Sequence, residues 1–321
     1  MRTLLLSTLV LFVLTSCNTK QDGITLIGST GAMNRVTIIV DNNLWKGVVG
    51  DSIREIIAKP VLGLPQEETQ FNITQASPKA FGNLFRNNRN LLFIGIETKE
   101  GYGVKNNIYA QPQTVMTIVG TDKKTLLKEI SEHKEDIISV FKTAELKFYQ
   151  NRITKDHWDI KKIKTLTHFG IDMKIPKSYG LVDDTGNFMW FRQNIETGSM
   201  NIIAYSIPLS DNDTIAKKIV AARDSIGKKY IPGQFEGTYM ATEDAYTPFT
   251  KKVTISGLSA YETRGMWVVK GDYMAGPFLN YTVIDKKNNR FIVVEGFTYA
   301  PSINKRDYMF ELEAILKTLK I

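Results

Sequence analysis

Residues 260–270 (AYETRGMWVVK), 278–284 (FLNYTVI) and 290–299 (RFIVVEGFTY) decide the reading of the fold. Each run is dense in β-branched and aromatic side chains, the composition that suits a pleated, half-buried surface. Between the last two, Lys286-Lys287-Asn288-Asn289 supplies a polar hairpin turn. A turn that short joins antiparallel neighbours, so the stretch predicts a meander. Pro301 breaks the sheet, and a helix is expected from about Lys305, with Tyr308, Leu312, Ile315, Leu316 and Leu319 on its buried face.

Working upstream, residues 238–241 and 252–255 add short strands. Residues 171–175 (IDMKI) alternate and stop at Pro176, and residues 188–192 (FMWFR) and 201–207 (NIIAYSI) also read as strands. Asp213-Thr214 is placed to cap a helix striped by Ile215, Ile219, Ala222 and Ile226. Residues 166–321 therefore predict an α+β domain with helices covering an antiparallel sheet.

Residues 34–165 predict a second α+β domain, of antiparallel or mixed sheet. Residues 35–40 (RVTIIV) read as a strand, and Asp41 caps a helix carrying Leu44, Val48, Ile53, Ile56 and Ile57. Residues 71–74 suggest a short strand, 91–96 (LLFIGI) a buried central one and 115–119 another. One long helix is expected from Asp122, with Leu126, Ile130, Ile137, Phe141 and Phe148 spaced by sevens and fours. The order strand–helix–strand–strand–helix fits a ferredoxin-like sandwich.

The lone cysteine, Cys17, follows an apolar run from Leu4 to Leu14 that begins after Arg2. That run is shorter than the roughly 20 residues a bilayer span needs, and it has the polarity of a secretory signal. Leu14-Thr15-Ser16-Cys17 resembles the lipobox of bacterial lipoproteins. The resemblance implies a signal peptide over 1–16, lipid on Cys17, and a polar tether over 17–33. Asn18 stands where aspartate would favour inner-membrane retention, so the expected address is the outer membrane, facing the periplasm. An exported chain with one cysteine has neither a disulfide framework nor a thiolate metal site. With 43% hydrophobic and 23% charged residues the chain is globular. Its net charge of +8 is dispersed, and with no recognition motif in an exported protein, nucleic acid is excluded as a partner.

Residues 290–302 (RFIVVEGFTYAPS), 304–308 (NKRDY) and 311–316 (ELEAIL) look like the C-terminal signature of an uncharacterised Bacteroidota lipoprotein family of unknown function, of the DUF4837 type. That likeness implies an envelope address and an architecture, and no activity. The element order of 166–321, opening at Met173-Lys174-Ile175-Pro176, is also similar to the PsbP and Mog1 fold.

Motifs that carry chemistry are sparse. His133, His157 and His168 are the only histidines, none in an H-E-x-x-H pair, so a zinc enzyme is not expected. There is no G-x-S-x-G elbow. Gly28-Ser29-Thr30-Gly31 lacks the G-K-[ST] ending of a phosphate loop and reads as a tether turn. Asp183-Asp184 and Glu243-Asp244 offer paired acids of the kind a hydrolase uses, but both sit beside turn residues, where solvated loop carboxylates are the ordinary explanation. Trp190, Arg192, Tyr239, Arg264, Trp267, Tyr273 and Tyr299 lie on or near predicted strands, and Trp190 and Arg192 share one face. Converging, they would line an aromatic, cationic cleft for a glycan, lipid headgroup or peptide. Asp51-Ser52-Ile53, Asp213-Thr214-Ile215 and Asp224-Ser225-Ile226 resemble the D-[ST]-aliphatic acceptor of Bacteroidota O-glycosylation, with Thr214 the best placed.

The expectation is a lipid-anchored envelope protein, without cofactor or metal, acting as a non-catalytic binding or accessory module for an envelope protein or glycan. Two alternatives stand beside it: a cofactor-free hydrolase of envelope glycan or peptide using carboxylates, and a structural docking lipoprotein.

Overall fold

The computed structural model describes residues 26–209 and 215–321. Its first sheet contains β1 (Arg35–Val40), β2 (Asn72–Ala76), β3 (Asn90–Ile96), β4 (Gly101–Asn106) and β5 (Thr114–Gly120), in the order β2-β1-β3-β5-β4. Helices α1 (Asn42–Trp45) and α2 (Val48–Ile57) follow β1, α3 (Asn83–Arg86) precedes β3, and α4 (Lys123–Glu132) and α5 (Lys134–Ile153) follow β5. Val36, Ile38 and Val40 alternate onto the face covered by α2, α4 and α5, where they meet Ile53, Leu126, Ile130 and Phe141.

This sheet is mixed, and it is not ferredoxin-like. The pairs β1–β2, β1–β3 and β3–β5 are parallel, and only β4–β5 is antiparallel. A helical crossover between β1 and β2 returns the chain in the same direction. The expected single helix after Asp122 is two helices, broken at His133, whose backbone (φ −103, ψ 16) is not helical. The His133 ring stacks on Tyr102 with centroids 3.7 Å apart, and its Nδ1 lies 2.9 Å from Asp136 Oδ2.

The second sheet is antiparallel throughout. A short helix, α6 (Lys164–Phe169), leads into β6 (Gly180–Asp184), β7 (Phe188–Ile195) and β8 (Gly198–Pro208). Helix α7 (Ile215–Tyr230) comes next, then β9 (Tyr239–Thr242), β10 (Phe249–Ile255), β11 (Leu258–Lys270), β12 (Ala275–Asp285), β13 (Arg290–Tyr299) and α8 (Arg306–Leu316). The strand order is β10-β11-β12-β13-β8-β7-β6, with β9 added on β11. The expected meander is therefore present. Residues 171–175 form no strand: Ile171, Met173 and Ile175 are buried in turn, but only Asp172 makes a bridge, to Lys320. His168 lies on α6.

The two faces of the second sheet carry different helices. Leu312, Ile315 and Leu316 of α8 pack on Phe191, Ile202, Tyr281 and Val294. Helix α7 covers the other face, where Ile219 meets Tyr261 and Phe291, and Ile226 and Tyr230 meet Phe188 and Trp190. Gly227 brings α7 close, since a Cβ there would sit 2.2 Å from the Met240 carbonyl oxygen.

Helix α5 belongs to both cores: Ile137 and Phe141 serve the first, Ile153 the second. Buried Glu145 on α5 accepts from Arg89 Nε at 2.6 Å and from Asn90 Nδ2 at 2.7 Å. Glu68 reaches across to α8, accepting from the backbone N–H groups of Lys305 at 2.7 Å and Arg306 at 2.9 Å. It caps that helix from the other half of the molecule.

Candidate functional site

On the α7 face of the second sheet, where β7, β8, β13, β11 and β9 leave a gap beside the 231–234 loop, lies a cleft of about 260 Å³. Trp190, Arg192, Trp267 and Tyr299 all line it, with Asn201, Ser199, Met240 and Phe297 among their neighbours. Trp190 is 5% exposed and Trp267 3%, and both belong to one apolar cluster, so the two indoles form walls of a shared space.

Strand pairing builds the polar end of this cleft. Arg192 on β7 sits opposite Asn201 on β8, and Trp190 is two residues back on the same face. Asn201 Oδ1 accepts from Trp190 Nε1 at 3.0 Å and from Arg192 Nε at 3.2 Å. Its Nδ2 donates to Ser199 Oγ at 3.1 Å. The Arg192 guanidinium lies over the Trp190 ring, 4.5 Å from the centroid. It lies at the accessible mouth of the cleft, yet desolvation there draws its pKa below the usual arginine value. Among the described residues no carboxylate pairs with Arg192, and its Nη1 and Nη2 have no hydrogen-bond partner.

The other end is apolar. Ile231, Met240, Val269, Met274 and Phe297 line it. Trp267 meets Phe297 edge-on at 5.6 Å and donates from Nε1 to the Thr298 carbonyl at 3.2 Å. Gly276 makes that approach possible, because a Cβ at this position would be 3.0 Å from the indole nitrogen and 2.0 Å from the Thr298 oxygen.

Three residues of the expected constellation lie elsewhere. Tyr239 points away from Met240, its β9 neighbour that lines the cleft, and stacks under Lys228 at 5.3 Å. Tyr273 is fully exposed on the turn before Met274. Arg264, three residues from Trp267, faces α8 and is buried in a charge cluster with Glu262 Oε1 and Glu313 Oε2, each at 2.8 Å. Burial opposes the charge on Arg264, but Glu313 and Glu262 hold its pKa above the normal range. The same burial opposes ionised Glu313, and Arg264, Lys142 and Lys317 together hold its carboxyl well below the glutamate range. Sequence spacing alone did not single out Asn201, Met240 or Met274; only the register of β7 on β8 and the loop around 231–234 bring them in.

Three of the four paired carboxylates, Asp184, Glu243 and Asp244, have structural partners. Asp184 accepts from the backbone N–H groups of Lys164 at 2.6 Å and Thr165 at 2.9 Å. Glu243 accepts from the Ala245 N–H at 2.9 Å, and Asp244 pairs with Lys270 at 2.8 Å. Gly28 and Thr30 make isolated bridges to Gln111 and Asn88, so this stretch is docked on the segments that lead into β5 and β3. His157 Nδ1 lies 2.8 Å from the Trp158 carbonyl oxygen and His168 Nδ1 2.7 Å from that of Gly186. Ser52 lies on α2 and Ser225 on α7, where the Ser225 hydroxyl donates to the Ala221 carbonyl. Cys17, Asp213 and Thr214 lie outside the described residues. Among the described residues no group of His, Cys, Asp and Glu is placed to hold a metal ion, and no helix is long and apolar enough to cross a membrane.

No curated protein matches the chain. Among solved structures it is similar over 47% of its length to LpqN, involved in cell envelope biogenesis of Mycobacterium tuberculosis. Identity there is 14%, 83% of that chain is covered, and the TM-score is 0.30. The Saccharomyces cerevisiae Ran-binding protein Mog1p aligns over 47% of this chain and 89% of its own, at 8% identity and a TM-score of 0.32. A STAR-related lipid transfer protein from Xanthomonas axonopodis aligns over 44% and 96%, at 12% identity and a TM-score of 0.25. Residues 29–154 match a domain of unknown function, DUF8532. Residues 158–318, half of the chain and all of the cleft, match the domain of unknown function DUF4837, and the chain belongs to that family.

Proposed function

We propose that this DUF4837 protein is a lipid-anchored binding module of the cell envelope, and that the cleft on its second sheet is the ligand site. One observation carries the reading: a cavity of about 260 Å³ opens to solvent between apolar walls, with an unpaired guanidinium at its mouth. Unpaired charge beside open apolar space is a feature of ligand sites rather than of packed cores. No aspartate or glutamate lines the cleft, so a carboxylate hydrolase finds no acid there. The apolar run ending at Leu14-Thr15-Ser16-Cys17 supports the anchor, and Asn18 supports an outer-membrane, periplasm-facing address.

Binding is tested by titrating soluble protein, cut before residue 26, with envelope extracts while following tryptophan fluorescence. A saturable change in the parent protein, abolished by Met274→Trp, is the expected result. A change that survives the blocked cleft would place the ligand elsewhere. The anchor is tested in cells: an alkyne-labelled fatty acid is expected on the full chain and not on Cys17→Ser, and an unlabelled full chain would end that part of the reading.

A further inference from the structure

The two ends of the cleft have different chemistry, and together they specify a ligand. At one end the Arg192 fork is oriented but unused. Its Nε is held by Asn201 Oδ1 and its plane by the Trp190 ring, while Nη1 and Nη2 remain free. Two parallel N–H groups fixed in this way match the spacing of carboxylate or phosphate oxygens. Asn201 cannot supply a negative charge, and no acidic side chain lines the cleft to compete for the guanidinium.

At the other end the side chains offer almost no hydrogen bonds, Gln234 being the one amide that lines the cleft besides Asn201. Met240, Val269, Met274, Ile231 and Phe297 are apolar, and both indole N–H groups are already committed, to Asn201 and to the Thr298 carbonyl. A sugar ring would lose hydroxyl hydration there without replacement. A hydrocarbon chain would gain by leaving water. The two methionines give this wall an adaptable shape. At about 260 Å³ the space is smaller than the ~300–1,000 Å³ of drug-sized ligand pockets, so it suits one short chain rather than a whole diacyl lipid.

We infer that the cleft takes an anionic amphiphile, with a carboxylate or phosphate head on Arg192 Nη1 and Nη2 and a hydrocarbon segment along Met240, Val269 and Met274. This rests on the cleft being the ligand site. Octanoate, octyl phosphate and octanol are the probes, each titrated by calorimetry into the parent protein, Arg192→Gln and Met274→Trp. Thermal melting of each variant checks the fold, since Arg192 is exposed whereas Met274 is partly buried against the apolar cluster.

Both anions are expected to bind at least about tenfold more tightly than octanol, the scale of one charge-assisted hydrogen-bond pair. Arg192→Gln is expected to reduce them to the octanol level, and Met274→Trp to abolish all three. Equal binding of octanol and octanoate, or anion affinity unchanged in Arg192→Gln, would overturn the inference and leave the cleft as a site for another ligand. If the probes fail while envelope extract still perturbs the cleft, the ligand is not an amphiphile. If extract fails as well, the binding reading itself falls. Phosphatidylglycerol vesicles separate the two sources of such a head. Co-sedimentation lost in Arg192→Gln would assign a bilayer lipid, and octanoate binding without co-sedimentation a free amphiphile.

Discussion

Asn201 is the residue on which the cleft turns, because one side-chain oxygen accepts from both Trp190 and Arg192. In Asn201→Ala the indole N–H is left buried without an acceptor, which costs about 1–3 kcal/mol; urea unfolding against the parent measures it. Asn201→Asp keeps the acceptor and adds a charge beside the guanidinium. It is expected to fold normally and to lose affinity for anionic ligands, a split that calorimetry and melting together would show. Glu313 is the corresponding residue on the opposite face, facing Arg264, Lys142 and Lys317. Glu313→Gln leaves Arg264 with Glu262 alone, at a cost toward the lower end of the about 3–5 kcal/mol typical of a broken buried pair. Because the native Glu313 carboxyl titrates well below its ordinary value of 4.5, its contribution is complete above that value. It is lost progressively as pH falls from there toward the native-state pKa. Unfolding free energies of parent and variant are thus expected to differ by a constant near neutrality and to converge only in acid. A difference that shrank between pH 8 and pH 6 would refute the assignment.

Among the elements, those that declared themselves in sequence are those whose apolar patterning is dense and local. The β11–β12–β13 meander and α8 stand where residues 260–316 placed them. Strands β4 (GYGVKN) and β6 (GLVDD) gave no such signal, since both are edge strands with exposed residues and glycine. Missing β4 also concealed the parallel first sheet, because strand order cannot be read from an incomplete list. Residues 171–175 show the converse: alternation of Ile171, Met173 and Ile175 reports alternating burial, not a ladder. The α4–α5 break was invisible because Leu126, Ile130, Ile137 and Phe141 keep one apolar face across it. Of the cleft, Trp190, Arg192, Trp267 and Tyr299 were legible as aromatic and cationic residues on predicted strands. Arg264 was separable from them by alternation, since three residues from Trp267 along one strand reverses the face. Gly227 on α7 provides the test at this scale. Alanine is the better helix former by about 1 kcal/mol, yet its Cβ would meet the Met240 carbonyl at 2.2 Å. Gly227→Ala is expected to destabilise the protein by about 1–3 kcal/mol through overpacking, and to weaken ligand binding by moving Met240. A stabilised variant in chemical denaturation would contradict the close packing of α7 on β9.

Across the whole molecule, the two halves share structural elements rather than resting side by side. Helix α5 contributes to both cores, and Glu68 of the first half accepts the opening N–H groups of α8 in the second. Neither contact has a local sequence signature, because each joins residues more than two hundred positions apart or spans two cores. Glu68→Ala is expected to cost about 0.5–2 kcal/mol, the value of a helix N-cap. Trp45 in the first half and Trp158 beside the second report on each core, and a single coincident unfolding transition is expected in the parent. Two separated transitions would show the halves to be independent.

The four tryptophans also give the most direct test of the cleft as the ligand site. Trp190 and Trp267 line it, while Trp45 and Trp158 lie outside it. In ¹⁵N-labelled protein each indole N–H gives its own resonance, and envelope extract can be titrated against all four at once. The resonances of Trp190 and Trp267 are expected to shift and saturate while those of Trp45 and Trp158 stay in place. Movement of Trp45 or Trp158 with Trp190 and Trp267 unchanged would contradict the account.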